Sequence, residues 1–538
     1  MTYSINQLFC ILGLLISINT SSQTAPFNIS LEPIIIQGID GLQSYAFGQY
    51  DGKWLIIGGR TDGLHRKQPF ASFDIEGHNS QLIVIDPISK QKWSASISSL
   101  SQNIQDQLKS TNMEFYQKGN YLYLLGGYGY SSIADDHTTF NKLTAIDVPS
   151  TINAIISNSG FESYFRQITD DQFQVTGGRL EKINNTFYLV GGQKFIGRYN
   201  PMGPNHGPGF EQEYSNQIRK FNLFDDGTTI TIKHLPAFTD ETNLHRRDYN
   251  LSAQIMPDGQ EGLTAFSGVF QVNMDLPYLN CVNIDSNGYN VNNEFSQYYN
   301  HYHCAHLAIY SASKNEMNTV FFGGIAQYYD KSGLLVQDNN VPFVKTIARV
   351  SRDAKGKMAE YKLTVEMPDF LGAGSEFIPI DNLPKYSNGV IKMDDLTSDS
   401  TIVGYIFGGI SSSAANIFWI NDGNQSNASS QIYKVLLYKT SILQHSLNEQ
   451  SIGTLKIMAY PVTNEGNFVV KYNLIKPTNV KLSIYTSKGK KIEDIIMKNK
   501  PSGENFYKKK LKITDNEEYI LSIETEYEKA KQKILIEQ

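Results

Sequence analysis

The chain has 538 residues, 40% hydrophobic and 19% charged, with a formal net charge of −6 and a pI near 6.0. This composition supports a folded core and excludes wholesale disorder. Nothing in the charge balance draws the chain toward nucleic acid or an anionic membrane.

At the N-terminus, Leu8 to Ile18 is an apolar run too short to span a bilayer. Small residues follow at Thr20 and Ser22, so residues 1–22 read as a signal peptide cleaved before Gln23, although no Lys or Arg precedes the run. No later stretch is long and apolar enough for a transmembrane helix. Beyond the signal, two cysteines remain, Cys281 and Cys304. In an oxidising compartment an even pair reads as one disulfide, against two buried reduced thiols.

From residue 54 onward, six apolar, aromatic-rich runs each end in a small-residue pair. They are Trp54-Leu-Ile-Ile-Gly58-Gly59, Leu122-Tyr-Leu-Leu-Gly126-Gly127, Phe187-Tyr-Leu-Val-Gly191-Gly192, Leu263-Thr-Ala-Phe-Ser267-Gly268, Val320-Phe-Phe-Gly323-Gly324 and Gly404-Tyr-Ile-Phe-Gly408-Gly409. Successive pairs lie 56 to 85 residues apart, too far for one hairpin and suited to a four-stranded sheet with long loops. Each unit parses alike: a leading strand such as Gln43-Ser-Tyr-Ala-Phe47, a turn such as Asp51-Gly52, the strand ending in the pair, a long polar loop, then a third strand such as Gln81-Leu-Ile-Val-Ile-Asp86. Glycine inside a strand marks close backbone approach, as crowded wedge-shaped sheets require. Gly177-Gly178 is excluded from the series because it precedes its turn. Helical signals are few, with one short turn over 101–108.

This pattern resembles the kelch repeat over roughly residues 27 to 440. The match is degenerate: Ser267 replaces a glycine, and the family's later tryptophan is clear only at Trp93. The resemblance implies an all-β fold, a six-bladed β-propeller over 23–445, with a strand near Phe27-Asn-Ile-Ser-Leu31 completing the last blade. After a linker at 446–452, residues 453–538 turn Lys-rich and alternate as the strands of a small antiparallel sandwich. Pro461, Asn464-Glu-Gly-Asn-Phe468, Gly489-Lys and the Lys-Ile-Leu-Ile ending are similar to the C-terminal sorting domain of type IX secretion in Bacteroidetes, with Tyr460-Pro461 in place of the usual Asn-Pro. That resemblance implies a secreted or outer-membrane surface protein and the type IX machinery as a partner.

In kelch propellers, ligands meet the face formed by the loops after Gly-Gly and the starts of the innermost strands. Mapped here, that face gathers Arg60, His65, Arg66, Tyr128, His137, Arg198, Tyr199, His206, Arg246, Arg247, His301, His303, Tyr328 and Trp419 as ligand-binding candidates. Arg and aromatic residues supply strong, preorganised contacts. Sugars fit the mix, stacking on rings while Arg and Asp bond hydroxyls or carboxylates. His301-Tyr-His303 would point two imidazoles the same way if it were a strand, a start toward a metal site that lacks a third ligand. Asp285-Ser-Asn-Gly288 lacks the later glutamate of a calcium loop and reads as an Asx turn. No nucleophile elbow, phosphate loop or zinc-protease motif is present, and no cofactor or metal is expected. The expectation is a binding protein for a glycan or an extracellular protein, with no nucleic-acid partner. The alternative is an enzyme resembling the six-bladed kelch sialic-acid mutarotases, with Arg246, Arg247, Asp248 and His303 as candidate catalytic residues.

Overall fold

The computed structural model describes residues 23–201, 209–299, 301–331, 334–439, 448–449, 451–452, 455–461, 467–474, 477–486, 488–510, 517–526 and 529–536. The expected signal peptide and His206 lie outside the described residues. The described chain is all-β, its strands paired antiparallel except where Ile391–Lys392 runs parallel to His306–Ser311, with two short α-helices.

Six four-stranded cores follow one another. The first pairs Ala46–Tyr50, Lys53–Ile57, Gln81–Asp86 and Gln91–Ser96 in order. The second pairs Glu114–Lys118, Tyr121–Leu125, Lys142–Asp147 and Phe165–Thr169. The third runs Arg179–Ile183, Thr186–Val190, Gln217–Asp225, Ile230–Thr239. The fourth runs Asn250–Ile255, Glu261–Phe266, Cys281–Ile284, Tyr289–Asn292. The fifth runs His306–Ser311, Glu316–Phe322, Thr346–Arg352, Met358–Glu366. The sixth takes Ser375–Pro379, Ser400–Gly408 and Ile432–Lys439 from the late chain and Phe27–Ile34 from the start, with Phe27 opposite Lys439. Each central strand is almost wholly buried, as the Lys53–Ile57 run of Trp54, Leu55, Ile56 and Ile57 illustrates, because it is covered on both faces by neighbouring sheets.

The segments leading into the six first strands are joined in a closed cycle of backbone hydrogen bonds. Ser44 N–H donates to Gly374 O, Gly374 to His303, His303 to Asp248, Asp248 to Gly177, Gly177 to Asn112 and Asn112 to Ser44, at 2.7–3.4 Å. All six ring residues have positive φ, from 20° at His303 to 72° at Gly374. Four of them are not glycine, an uncommon conformation held here by the neighbours on either side. Gly177, set aside in the sequence, is one of these ring members.

The small-residue pairs fasten each sheet to the next. Gly409 N–H donates to Leu42 O at 2.9 Å, and Gly59, Gly127, Gly192 and Gly324 donate likewise to Ser110, Val175, Arg246 and Leu371. A Cβ on Gly408 would stand 2.2 Å from the Leu42 carbonyl, and φ is +69° there, so only a residue without a side chain fits. Ser267 substitutes in the fourth sheet because its Oγ bonds Tyr278 O at 2.9 Å.

Two helices interrupt the pattern. Gln102–Leu108 fills the expected turn, and Val148–Ser157, capped by Asp147 accepting from Ser150 N–H, packs Val148, Ile152 and Ile155 into the core shared by the first two sheets. Asn448–Glu449 and Ser451–Ile452, within the expected linker, pair with Gln23–Thr24 and with the edge of Met358–Glu366. Later strands form a three-stranded and a four-stranded sheet. Their inner faces, Phe468, Val470 and Tyr472 against Val480, Leu482, Ile484, Leu521 and Ile523, share one buried cluster. No described helix is long and apolar enough to cross a membrane.

The expected disulfide is corrected. Cys281 and Cys304 are both buried and unbonded in one apolar cluster with Phe266, Phe321 and Met358. Cys281 Sγ faces Met358 Sδ at 3.7 Å, and Cys304 Sγ faces Asn250 Nδ2 at 3.7 Å. Burial pushes the two thiols up to about 11 and about 12.

Candidate functional site

The loops after Gly59, Gly127 and Gly192 and the lead-in to the fourth sheet bring eight of the sequence candidates together. Arg60 begins the first loop, 2% exposed, held by Asp62 through Nε at 2.7 Å and by Asp74 O at 3.0 Å. Its guanidinium lies 5.3 Å from the Phe73 ring centre. Arg198 donates to Ser72 O and pairs with Asp74, and Arg66 reaches the same carboxylate at 3.6 Å. Tyr128 Oη donates to Gly197 O and accepts from Tyr199 N–H, both at 2.8 Å. His137 bonds Phe73 O at 2.8 Å. His65 sits 5.2 Å from the Tyr199 ring and 5.8 Å from Phe73.

Arg247 completes the cluster from the fourth sheet's lead-in. Its guanidinium lies 5.2 Å from the Phe270 ring and 5.9 Å from Tyr214, with the Asp248 carboxylate at 3.7 Å. Burial, and then the positive charges of Arg247 and Arg60, hold His65 down to about 4, so its imidazole is neutral near pH 7. Within the cluster, buried polar atoms without a hydrogen-bond partner in the protein include Arg60 Nη1, His65 Nδ1, Ser72 Oγ, His78 Nε2, Arg247 Nε and Tyr302 Oη. Buried polar groups are otherwise almost always satisfied. Arg60, Arg66, Arg198 and Arg247 face Asp62, Asp74 and Asp248, and Asp136 lies within electrostatic reach of Tyr128 and His137.

A second polar group gathers at ring member His303. Glu376 Oε1 accepts from Arg179 Nη1 at 3.1 Å and meets His303 Nε2 at 3.2 Å. Burial alone would raise the Glu376 carboxyl, but Arg179 and His303 together hold it at about 2. Glu114 accepts from Gly178 N–H at 2.7 Å, and burial raises it to about 8.

Other candidates fall elsewhere. Arg246 is fully buried and used up structurally, donating to Asn243 O, Ser267 O and Asn280 beneath the Tyr278 ring. His301 is buried, bonded to Gly323 O at 2.6 Å and stacked on Phe321. His301-Tyr-His303 is not a strand: both histidines have positive φ, the strand begins only at His306, and the two imidazoles have separate partners. Tyr328 packs against Tyr298 in the fifth sheet's loop. Trp419 stands 65% exposed, with Lys67 Nζ 5.6 Å from its ring centre. Among the described residues, no group of three His, Cys, Asp or Glu could hold a metal ion.

Sequence reasoning missed Phe73, Asp74, Tyr214, Phe270 and Tyr302. The first lies fourteen residues after Gly59 and returns to the site only because Thr61 N–H and Arg60 Nη2 tie the loop back at Gly77 and Asp74. Tyr302 stood between two histidines and was passed over for them.

No protein-family model and no curated protein matches the chain. Among solved structures, the chain is similar to YjhT at 10% identity and TM-score 0.39, covering 75% of this chain and 99% of that one. A glycoside hydrolase family 43 arabinoxylan arabinofuranohydrolase from Bacillus subtilis, in complex with cellotetraose, matches at 9% identity and TM-score 0.26, covering 93% and 96%. PorZ, a surface component of the type IX secretion system of Porphyromonas gingivalis, matches at 8% and 0.25, covering 94% and 61%.

Proposed function

We propose that the chain is a six-bladed kelch-type propeller over 23–445, followed by a sorting-type β-sandwich over 453–538. We further propose that its glycine-loop face binds a carboxylate-bearing sugar through Arg60 and Arg247. The observation that carries the reading is the set of buried polar atoms without a hydrogen-bond partner, Arg60 Nη1 and Arg247 Nε among them, gathered in a cluster of four arginines. Asp62 holds the Nε–Nη2 fork of Arg60 and leaves Nη1 as the charged donor for a carboxylate oxygen, and the surrounding Phe73, Tyr199, Tyr214 and Phe270 rings offer apolar surface to a sugar ring. The ring of six backbone hydrogen bonds and the return of Phe27–Ile34 to the sixth sheet support the six-bladed reading.

The test is calorimetric titration of N-acetylneuraminic, galacturonic and glucuronic acids against galactose and N-acetylglucosamine. At least one acid binds, the neutral sugars bind far more weakly, and Arg247→Ala removes the difference. Equal binding of acidic and neutral sugars, or none of either, refutes the reading.

A second reading, a sugar mutarotase, draws on one observation: Asp248 and His303 are neighbours in the backbone ring, and His303 is backed by Glu376. It requires that the protein accelerate anomer exchange of a bound acid, measured by NMR, and that Asp248→Asn abolish the acceleration while leaving binding intact.

Export is proposed to follow from residues 1–22 and the C-terminal domain, with the mature protein secreted or held at the outer surface. A chain truncated after Ser451 then accumulates in the periplasm of a type IX-competent host; undiminished export refutes this.

A further inference from the structure

The loop that carries the exposed indole is bonded directly to the arginine cluster. Asn421 Nδ2 donates to Leu64 O and His65 O at 2.8 and 2.9 Å, and Lys67 N–H donates to Asn421 O at 2.9 Å. The Arg66 guanidinium lies so close to Gly423 that a Cβ there would meet its Nε at 2.6 Å. Three consecutive residues therefore lead outward: His65 within the cluster, Arg66 at its edge against Asp74, and Lys67 over Trp419. Trp419 and Ile420 stand 65% and 62% exposed, and Phe70 of the adjoining loop 71%. An exposed large aromatic ring with a cation beside it, anchored to a buried arginine cluster, has the chemistry of an outer sugar platform.

We infer that Trp419 and Lys67 form an outer subsite, so that the ligand is an oligosaccharide carrying carboxylates on successive units rather than a single acidic sugar. One unit occupies the arginine cluster; the next stacks on the indole with its carboxylate against the Lys67 ammonium. The inference rests on the carboxylate-sugar reading above.

The experiment compares N-acetylneuraminic acid with its α2,8-linked tetramer and galacturonic acid with its α1,4-linked tetramer, on the full secreted chain. In the series whose monomer binds, the tetramer binds about tenfold more tightly, the scale of one good aromatic contact with an added charge. Trp419→Ala and Lys67→Gln each erase most of that gain and leave monomer affinity unchanged, whereas Arg247→Ala weakens monomer and tetramer alike. Tryptophan emission gives a second readout. Trp54 is buried and Trp93 half-buried, so a tetramer-specific change that vanishes in Trp419→Phe reports the platform. Equal affinity for monomer and tetramer, or full tetramer affinity in Trp419→Ala, overturns the outer subsite while leaving the inner site standing. Failure of every acid to bind overturns both, and is told apart by the absence of any Arg247-dependent signal.

Discussion

Removing the Glu376 carboxylate strands a buried arginine. Arg179 Nη1 loses its 3.1 Å partner, Nη2 already has none, and only the 3.4 Å bond from Nε to Tyr249 O remains. The two side chains are 9% and 14% exposed, so water cannot take the place of the lost charge. Breaking one side of such a pair costs about 3–5 kcal/mol. Glu376→Gln keeps an acceptor and loses the charge, and is expected to cost about half as much. Replacing both partners with apolar residues, Arg179→Met with Glu376→Leu, avoids desolvating two charges and recovers most of the loss. Urea titrations followed by tryptophan emission and far-ultraviolet circular dichroism measure all four proteins. The pH dependence has a definite sign. The folded carboxyl is held at about 2 against an ordinary 4.5, so its stabilisation is complete above about 4.5 and lost as pH falls toward 2. Wild type and Glu376→Gln therefore converge in stability in acid and separate above pH 5. A Glu376→Ala loss under about 1 kcal/mol, or a double variant no more stable than the single, refutes the account.

Gly374→Ala places a Cβ 2.7 Å from Ser44 Oγ at φ +72°, and is expected to lower stability by about 1–2 kcal/mol, whereas Gly389→Ala, with open space around it at φ +87°, loses only the backbone term; equal losses would show that ring crowding contributes nothing. Glu360, whose Oε2 accepts from Tyr298 N–H at 2.7 Å while Oε1 is unpaired, is pushed by burial to about 8 from 4.5. A raised folded pKa means that stability is lost as pH rises from about 4.5 through 8. Glu360→Gln should flatten that slope in pH-dependent urea midpoints, and an unchanged slope would contradict it. Cys281 and Cys304, buried with raised pKa values, should resist thiol reagents in the folded protein at pH 8 and both react in denaturant; fast labelling of either in native buffer would contradict their placement.

The strands that end in glycine pairs were legible because burial on both faces leaves a continuous apolar run, and because each pair meets the next lead-in at backbone distance. Outer strands were not. Gln91–Ser96 has mixed exposure along its length, so neither alternation nor an apolar run marks it. The helix Val148–Ser157 was hidden for a different reason. Its cap, Asp147, also ends the preceding strand, and Pro149 reads equally well as a turn and as a first-turn helix residue. His301-Tyr-His303 misled because positive φ at two histidines is imposed by partners elsewhere in the chain, and nothing local announces it.

The sequence named eight residues that the structure brings together but could not tell which neighbours turn into the cluster, and Arg246 and Arg247 show why. They are adjacent in the irregular lead-in before Asn250–Ile255, yet their side chains take different partners. One turns into Asn243, Ser267 and Asn280 and is used up by carbonyls; the other turns into the aromatic cluster, its Nε 3.7 Å from the Asp248 carboxylate and without a hydrogen-bond partner. The backbone ring decides which is which. Each ring member is preceded by one residue in an equivalent position: Gln43, Thr111, Thr176, Arg247, Tyr302 and Ala373. Thr111, Thr176 and Ala373 are short, and Gln43 spends its amide on Ser44 and Gly63. Arg247 and Tyr302 alone reach inward with polar atoms still unmet. The lead-ins of the fourth and fifth sheets thus add two unmet polar atoms to the cluster carried by the loops after Gly59, Gly127 and Gly192, a difference that comes from two side chains rather than from the backbone that holds them.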